Sequence, residues 1–304
     1  MKLPNLIIAG APKAGSSSLF HWLAAHPEVY GAPCKETFYF IDRDSSLLRP
    51  EANYNLHGIE GYQSFFPDCP EDAKIVLEAT PHYIYQQTAL NFFAECETQP
   101  HVVFLLRKPA KRIFSSFSFV QNNLARLDSN LTFEQVTDLM LDETGELAKK
   151  LDYPQDSFFY EWLNTQLPNN CYYNFIKLWA EKFPQEKIHI ILFEEMVKDP
   201  QATLIKLAGD IGIDTDFYRD FYFEKRTQTV AIKNRFTHQL LLKFAPLLGT
   251  SQIRGILKSL YFKFNTAPPK PAEAESLERL ESYFKPYNQK LAEAFDLNLE
   301  TWKS

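Results

Sequence analysis

Gly10, Lys13, Gly15 and the run Ser16, Ser17, Ser18 follow directly on the apolar stretch Leu6-Ile7-Ile8-Ala9. These residue types at this spacing suit an anion. Glycines let the main chain fold closely around a negative group. A helix starting at the serines offers unpaired N–H groups and the positive end of its dipole, and hydroxyls and an ammonium complete the cradle. An ordinary strand–turn–helix connection with a serine cap would also use Gly-Ser-Ser, but strand, Gly, Lys, Gly, Ser and helix together favour the anion site. The loop departs from the nucleotide-phosphate pattern G-x-x-x-x-G-K-[ST]. Gly10 and Gly15 have its separation, yet Ser16 stands in its lysine position and the loop's lysine is Lys13. The Lys-Ser/Thr pair that organises Mg²⁺ in a nucleotide kinase or NTPase is absent, which demotes that alternative.

A second basic element begins at Arg107-Lys108-Pro109 and continues through Lys111 and Arg112 to Ser115 and Phe117. A strand ending at Arg107 places a guanidinium where open α/β sheets bind ligands, and an Arg fork with the Ser115 hydroxyl suits a phosphate monoester. Basic side chains at a helix start oppose the dipole and need some such reason.

Charge is distributed to match. The chain of 304 residues has a formal net charge of −6. Residues 1–27, 98–127 and 225–272 nevertheless contain no Asp or Glu, and they hold 2, 5 and 9 Lys/Arg. Such windows point to a local anion site. A non-catalytic polyanion-binding module is the reading from another class. The overall acidity argues against a nucleic-acid-coating protein, and 45% hydrophobic residues argue against disorder.

The elements that must position these groups can be read as strands and helices in alternation. Leu6–Ala9, Ile75–Leu77, Val102–Leu106 and Ile188–Leu192 are continuous apolar runs, the pattern of buried parallel strands. Helical stretches cover Ser16 to Ala25, Ala110 to Asn122, Tyr172 to Phe183, 201–211 and 273–295. The expected fold is α/β: a doubly wound, mainly parallel sheet with helices on both faces, formed by 1–304 as a single domain. Residues 129–166, acidic and helical in pattern, read as an insertion or lid. The aromatic run Phe158, Phe159, Tyr160, Trp162 within it reads as core packing. His189 reads as a partnered core residue of a buried strand. Cys34, Cys69, Cys96 and Cys171 are widely spaced and read as free thiols. The apolar start is too short for a signal peptide and no run approaches the roughly 18 residues of a membrane span, so a cytoplasmic protein without an integral membrane segment is expected.

Pro12-Lys13-Ala14-Gly15-Ser16-Ser17 resembles the P-K-x-G-T-[ST] loop by which sulfotransferases grip the 5′-phosphosulfate of PAPS (3′-phosphoadenosine 5′-phosphosulfate). Arg107-x-Pro109-x-x-Arg112-x-x-Ser115-x-Phe117 resembles their R-x-P-x-x-R-x-x-S-x-[YF] element for the 3′-phosphate. Lys35-Glu36-Thr37-Phe38-Tyr39-Phe40 is similar to the K-E-x-x-F-F segment of the carbohydrate (heparan-type) branch. Leu77 to Tyr83 is similar to its E-K-[ST]-P-x-Y segment, and Trp179 through Phe183-Pro184 to Glu194 to its W-x-x-x-F-P…E stretch. The matches keep the family's order over residues 4–211. Ser16 replaces Thr and keeps the hydroxyl, Lys108 replaces a common Asp, and Ala79 replaces a frequent Lys.

The resemblance implies the sulfotransferase fold, PAPS as sulfuryl donor with no metal required, and release of adenosine 3′,5′-bisphosphate (PAP). It implies a hydroxyl or amine acceptor on a saccharide, lipid or other small molecule. In this reading Lys13 meets the bridging oxygen, Pro12, Lys13, Ala14, Gly15, Ser16, Ser17 and Ser18 surround the 5′-phosphate, and Arg107 and Ser115 hold the 3′-phosphate. Glu36 is the carried-over base and His82 its rival. The third acid-free window, 225–272, is expected to close over the nucleotide through Arg226 or through Lys233 and Arg235.

Overall fold

Leu6, Ile8, Ile75, Leu77, Val103 and Leu105 belong to one buried apolar cluster, and Ile7, Ala9, Val76, Val102, Phe104 and Leu106 to another. Alternate side chains of a strand leave on opposite faces. A strand with both faces buried must be apolar throughout, which is why these runs are continuous. The structure, a computed structural model, describes residues 3–97, 99–142, 144, 157–224, 231–232, 237, 265–267 and 271–303.

The strands are β1 (Leu6–Gly10), β2 (Val29–Gly31), β3 (Ile75–Glu78), β4 (His101–Leu106) and β5 (Ile188–Leu192). They form one sheet in the order β2-β3-β1-β4-β5, and each neighbouring pair is parallel. From β1 the chain builds the sheet to one side and then crosses to β4 and β5 on the other. The reversal lies between β1 and β4, and the crevice beyond the carboxyl ends of these strands is where such sheets take ligands. Helix α1 (Ser16–Ala24) covers one face through Leu19, Phe20 and Leu23, joined by Leu204 and Leu207 of the helix Pro200–Asp210. The opposite face is covered by Leu90 and Phe93 of Gln87–Glu95 and by Ile176 and Trp179 of Tyr173–Ala180. This is the mainly parallel, doubly wound α/β sheet expected.

Two differences from the sequence reading concern the sheet edges. β2 is only three residues long, too short to show a period, and its place is set by pairing with β3 from Val29↔Ile75 to Gly31↔Leu77. β5 is an edge strand, half-buried until Leu192. His189 therefore lies on an edge strand, with its side chain 9% exposed and partnered as expected. Its Nε2 lies 2.8 Å from Nδ1 of His101, and Asp210 lies beyond it at 3.7 Å.

The chain divides into two compact units: Met1–Lys108 with Tyr172–Thr227 and Tyr287–Ser304, and Pro109–Cys171 with Gln228–Pro286. The sheet belongs to the first. The second contains the helices Pro109–Ser118, Phe133–Leu141 and Phe158–Gln166. Thr132 and Gln135 form a reciprocal capping box at Phe133–Leu141. Phe117, Phe133, Phe159 and Trp162 are buried within this unit, with Trp162 Nε1 donating to Ser116 Oγ at 3.0 Å, so Phe159 and Trp162 of the aromatic run are core packing, while Phe158 and Tyr160 are half-buried. Arg112 is also buried and donates to Asn170 Oδ1 at 2.8 Å and to Asn169 O at 3.1 Å. It is a structural cation here. Among the described residues no helix is long and apolar enough to cross a membrane, and the four cysteines are free thiols.

Candidate active site

The loop leaving β1 is shaped by two glycines. A Cβ on Gly10 would stand 2.7 Å from Ile84 Cβ, and one on Gly15 would stand 2.8 Å from Phe193 Cδ2. Gly15 also holds φ +96°, a left-handed conformation that glycine adopts without strain. It is the N-cap of α1, no side chain caps this end, and the first turn has no acid. The opening N–H groups of a helix have no partner within it, so Ser16 and Ser17 present theirs beside the hydroxyls of Ser16, Ser17 and Ser18. Ala11 N–H donates to Leu105 O at 2.8 Å, tying the loop to the end of β4. Pro12 and Lys13 are half-buried and Ala14 is buried.

Arg107 follows β4 directly. Its Nη1 donates to Lys13 O at 3.4 Å and its guanidinium lies 4.8 Å from the Phe193 ring centroid. Phe193 thus fills the space left by the missing Gly15 side chain and supports Arg107. The main chain at Arg107 is pinned twice: Tyr172 OH donates to Arg107 O at 2.8 Å, and Lys108 N–H donates to Glu194 Oε1 at 3.2 Å. Glu194 Oε2 accepts from Trp302 Nε1 at 2.9 Å. Burial first, and the Arg107 charge after it, bring the Lys13 ammonium from 10.5 down to about 8, against the opposing pull of Glu36. Lys13, Arg107 and Glu36 therefore act on one another electrostatically.

Glu36 is half-buried, with Oε1 2.6 Å from Lys35 Nζ. The segment carrying it is fastened from beneath. Thr37 Oγ1 and Thr80 Oγ1 both donate to Oε1 of buried Glu78, at 3.1 and 2.5 Å. Tyr83 OH lies 2.8 Å from Thr37 Oγ1 and, with that hydroxyl already donating, serves as donor. Among the described residues no donor lies on Glu78 Oε2. Burial drives the Glu78 carboxyl from 4.5 up to about 7, against the pull of the two threonine hydroxyls and of Lys35.

For a carboxyl raised in the folded state, stability is complete below the unfolded value of 4.5 and is lost as pH climbs through about 7. Relative to Glu78→Gln, which carries no charge at any pH, the wild type should lose on the order of 3 kcal/mol across that window. Urea denaturation of both proteins at the two ends measures this, and parallel pH profiles would disprove it.

The structure thus brings Lys13, Arg107, Glu36 and the Pro12–Ser18 loop together in the first unit. His82 lies in the 3₁₀ turn Pro81–Tyr85, its ring 5.2 Å from Phe38. Ser115 lies buried on the helix Pro109–Ser118 of the second unit. Arg226, Lys233 and Arg235 lie outside the described residues. Sequence reasoning missed Lys35, Glu78, Phe193 and Trp302 as site-shaping residues. Lys35 and Glu78 stood within recognised segments, but their partners are distant in the chain.

A parallel sheet whose switch point opens on an uncapped helix N-terminus, with Lys13, Arg107 and Glu36 around it, defines an α/β protein with a charged crevice at the ends of its central strands. The sulfotransferase domain family matches residues 3–239, and the chain belongs to that family. Among its relatives are the bifunctional heparan sulfate N-deacetylase/N-sulfotransferase 1 of Caenorhabditis briggsae, 27% identical over 208 residues, and the human heparan sulfate glucosamine 3-O-sulfotransferase 3B1, 23% identical over 292. These alignments cover 68% and 95% of this chain but only 22% and 62% of the relatives. Both relatives are of the heparan type, as the Lys35–Phe40 resemblance expected. The crystal structure of a sulfotransferase from Alicyclobacillus acidocaldarius shares the fold, with a TM-score of 0.66, 20% identity and 100% of each chain covered.

Proposed function

We propose that the chain transfers a sulfuryl group from PAPS to a hydroxyl or amine acceptor, on a saccharide, a lipid or another small molecule, and releases PAP. The observation that carries this reading is the convergence at the end of β1. Lys13 is held down to about 8 by burial and by Arg107, and Glu36 lies close enough to act on it. A desolvated cation beside a second cation is costly unless an anion completes the group.

The residues fit such a donor. Main-chain N–H groups and serine hydroxyls at the start of α1 would take the 5′-phosphate, and Arg107 with its planar fork would take the 3′-phosphate. When bound, the donor supplies an activated sulfuryl group on a bridging oxygen. Glu36 takes the acceptor's proton as the acceptor oxygen or nitrogen bonds to sulfur. Lys13 meets the electron pair left on the bridging oxygen as the old S–O bond breaks. Positioning and electrostatic stabilisation supply the catalysis.

Calorimetry of PAP against ATP, with and without Mg²⁺, tests the reading. PAP should bind tightly without Mg²⁺ and ATP weakly. Tight Mg²⁺-dependent ATP binding would make the protein a nucleotide kinase or NTPase, and salt-sensitive, unselective binding of both would make it a polyanion module. The pH dependence follows from Lys13. The Lys13 ammonium assists the anion and is lost as pH rises through about 8. PAP binding should therefore take up a proton above that value and weaken with rising pH until it levels off at the affinity of Lys13→Met. In Lys13→Met this slope should vanish.

A further inference from the structure

Lys35 reaches both halves of the site. Its ammonium lies 2.6 Å from Glu36 Oε1 and 3.5 Å from Ser16 Oγ, so one cation spans the proposed base and the first residue of α1. A neighbouring Lys–Glu pair on a loop ordinarily extends into water and contributes little. Here the Lys35 side chain is only 17% exposed, and its main chain is anchored. Ala79 N–H donates to Lys35 O at 3.1 Å, which fastens residue 35 to the end of β3. Two residues on, Thr37 donates to Glu78 at 3.1 Å. The groups facing Lys35 are thus Glu36 and Ser16, with Glu78 behind them.

Resting on the sulfotransferase reading above, we propose that Lys35 is a second catalytic cation. Its ammonium contacts the sulfuryl oxygens beside Ser16, and its bond to Glu36 holds that carboxylate at the acceptor. The charge of the group in flight is spread over its peripheral oxygens. The assignments already made leave those oxygens without a cation, because Lys13 serves the bridging oxygen and the start of α1 serves the 5′-phosphate. An ammonium has three donors and accepts nothing, so Lys35 can serve Glu36 and a sulfuryl oxygen together. It gives up no proton: the acceptor's proton still passes to Glu36 and the electron pair still stays on the bridging oxygen.

PAPS and PAP differ by the sulfuryl group alone, so the ratio of their affinities isolates the contact. In titrations of the full chain, Lys35→Ala should bind PAP within about twofold of wild type, which also reports that it folds. It should bind PAPS roughly ten- to a hundredfold more weakly, the range of a hydrogen bond to a charged group. Lys35→Arg should restore most of the difference. Equal weakening of both nucleotides, or of neither, overturns the assignment of Lys35 while leaving the sulfotransferase reading in place. Failure of the wild type to bind either nucleotide overturns that reading, and the Lys35 assignment falls with it.

Discussion

Lys13→Ala should lower turnover about a thousandfold and weaken PAP binding far less. Removing one preorganised donor from the position where charge develops costs on the order of a hundred- to a thousandfold in other enzymes, and Lys13 is half-buried, where water cannot replace the lost charge. PAP lacks the sulfuryl group, and Arg107 with the start of α1 remains to hold it, so the loss falls mainly on kcat. The variant should fold. An ammonium whose pKa burial has lowered to about 8 costs the folded state free energy, and removing it should leave the melting temperature unchanged or raised. Lys13 sits at φ 66°, so alanine inherits a strained conformation but meets no new neighbour. Single-turnover assays with labelled PAPS and an acceptor found by screening measure the effect. Wild-type turnover in Lys13→Ala would remove the β1 loop from the chemistry altogether.

What could be read in advance follows the range of the interactions. The loop from Gly10 to Ser18 was legible because its glycines, lysine and serines are contiguous and act through their own main chain. β1, β3 and β4 were legible because burial on both faces leaves a continuous apolar run. β5 carries the same kind of run, Ile188-His189-Ile190-Ile191-Leu192, yet lies at the edge, since composition does not report which strand lacks a neighbour. The support beneath Glu36 was not legible. Thr37 meets Glu78 across 41 positions and Tyr83 across 46, and nothing local distinguishes a buried Glu78 from a surface acid. Lys35 beside Glu36 reads as a solvated pair until the fold brings Ser16 to it.

The distribution of function between the two sides of the site follows from this support. Lys13 and Arg107 are set by the ends of β1 and β4, the two strands at the switch point. Glu36 and Lys35 are set by the end of β3, through Ala79, Thr37 and Glu78. The groups proposed for donor and for acceptor therefore rest on different strands of one sheet. A change beneath Glu36 should alter proton transfer without altering PAP affinity, and the converse holds for Arg107.

Glu36→Gln is the sharpest probe of that division. The amide oxygen of Gln can still accept from Lys35, so the loop and the Lys35 ammonium keep their places, but the side chain cannot take a proton at working pH. PAP affinity should stay at the wild-type value, while turnover on a hydroxyl acceptor should fall by a factor of about a hundred to ten thousand, the range a positioned general base supplies. His82 makes the comparison decisive. Its ring packs on Phe38, whereas the Glu36 charge acts on Lys13. His82→Ala should therefore cost less than tenfold, through loosened packing around Phe38. Undiminished turnover in Glu36→Gln together with collapse in His82→Ala would move the base to His82. Collapse in Glu36→Gln alone, with PAP affinity intact, assigns the proton to the carboxylate that Glu78 and Thr37 hold in place.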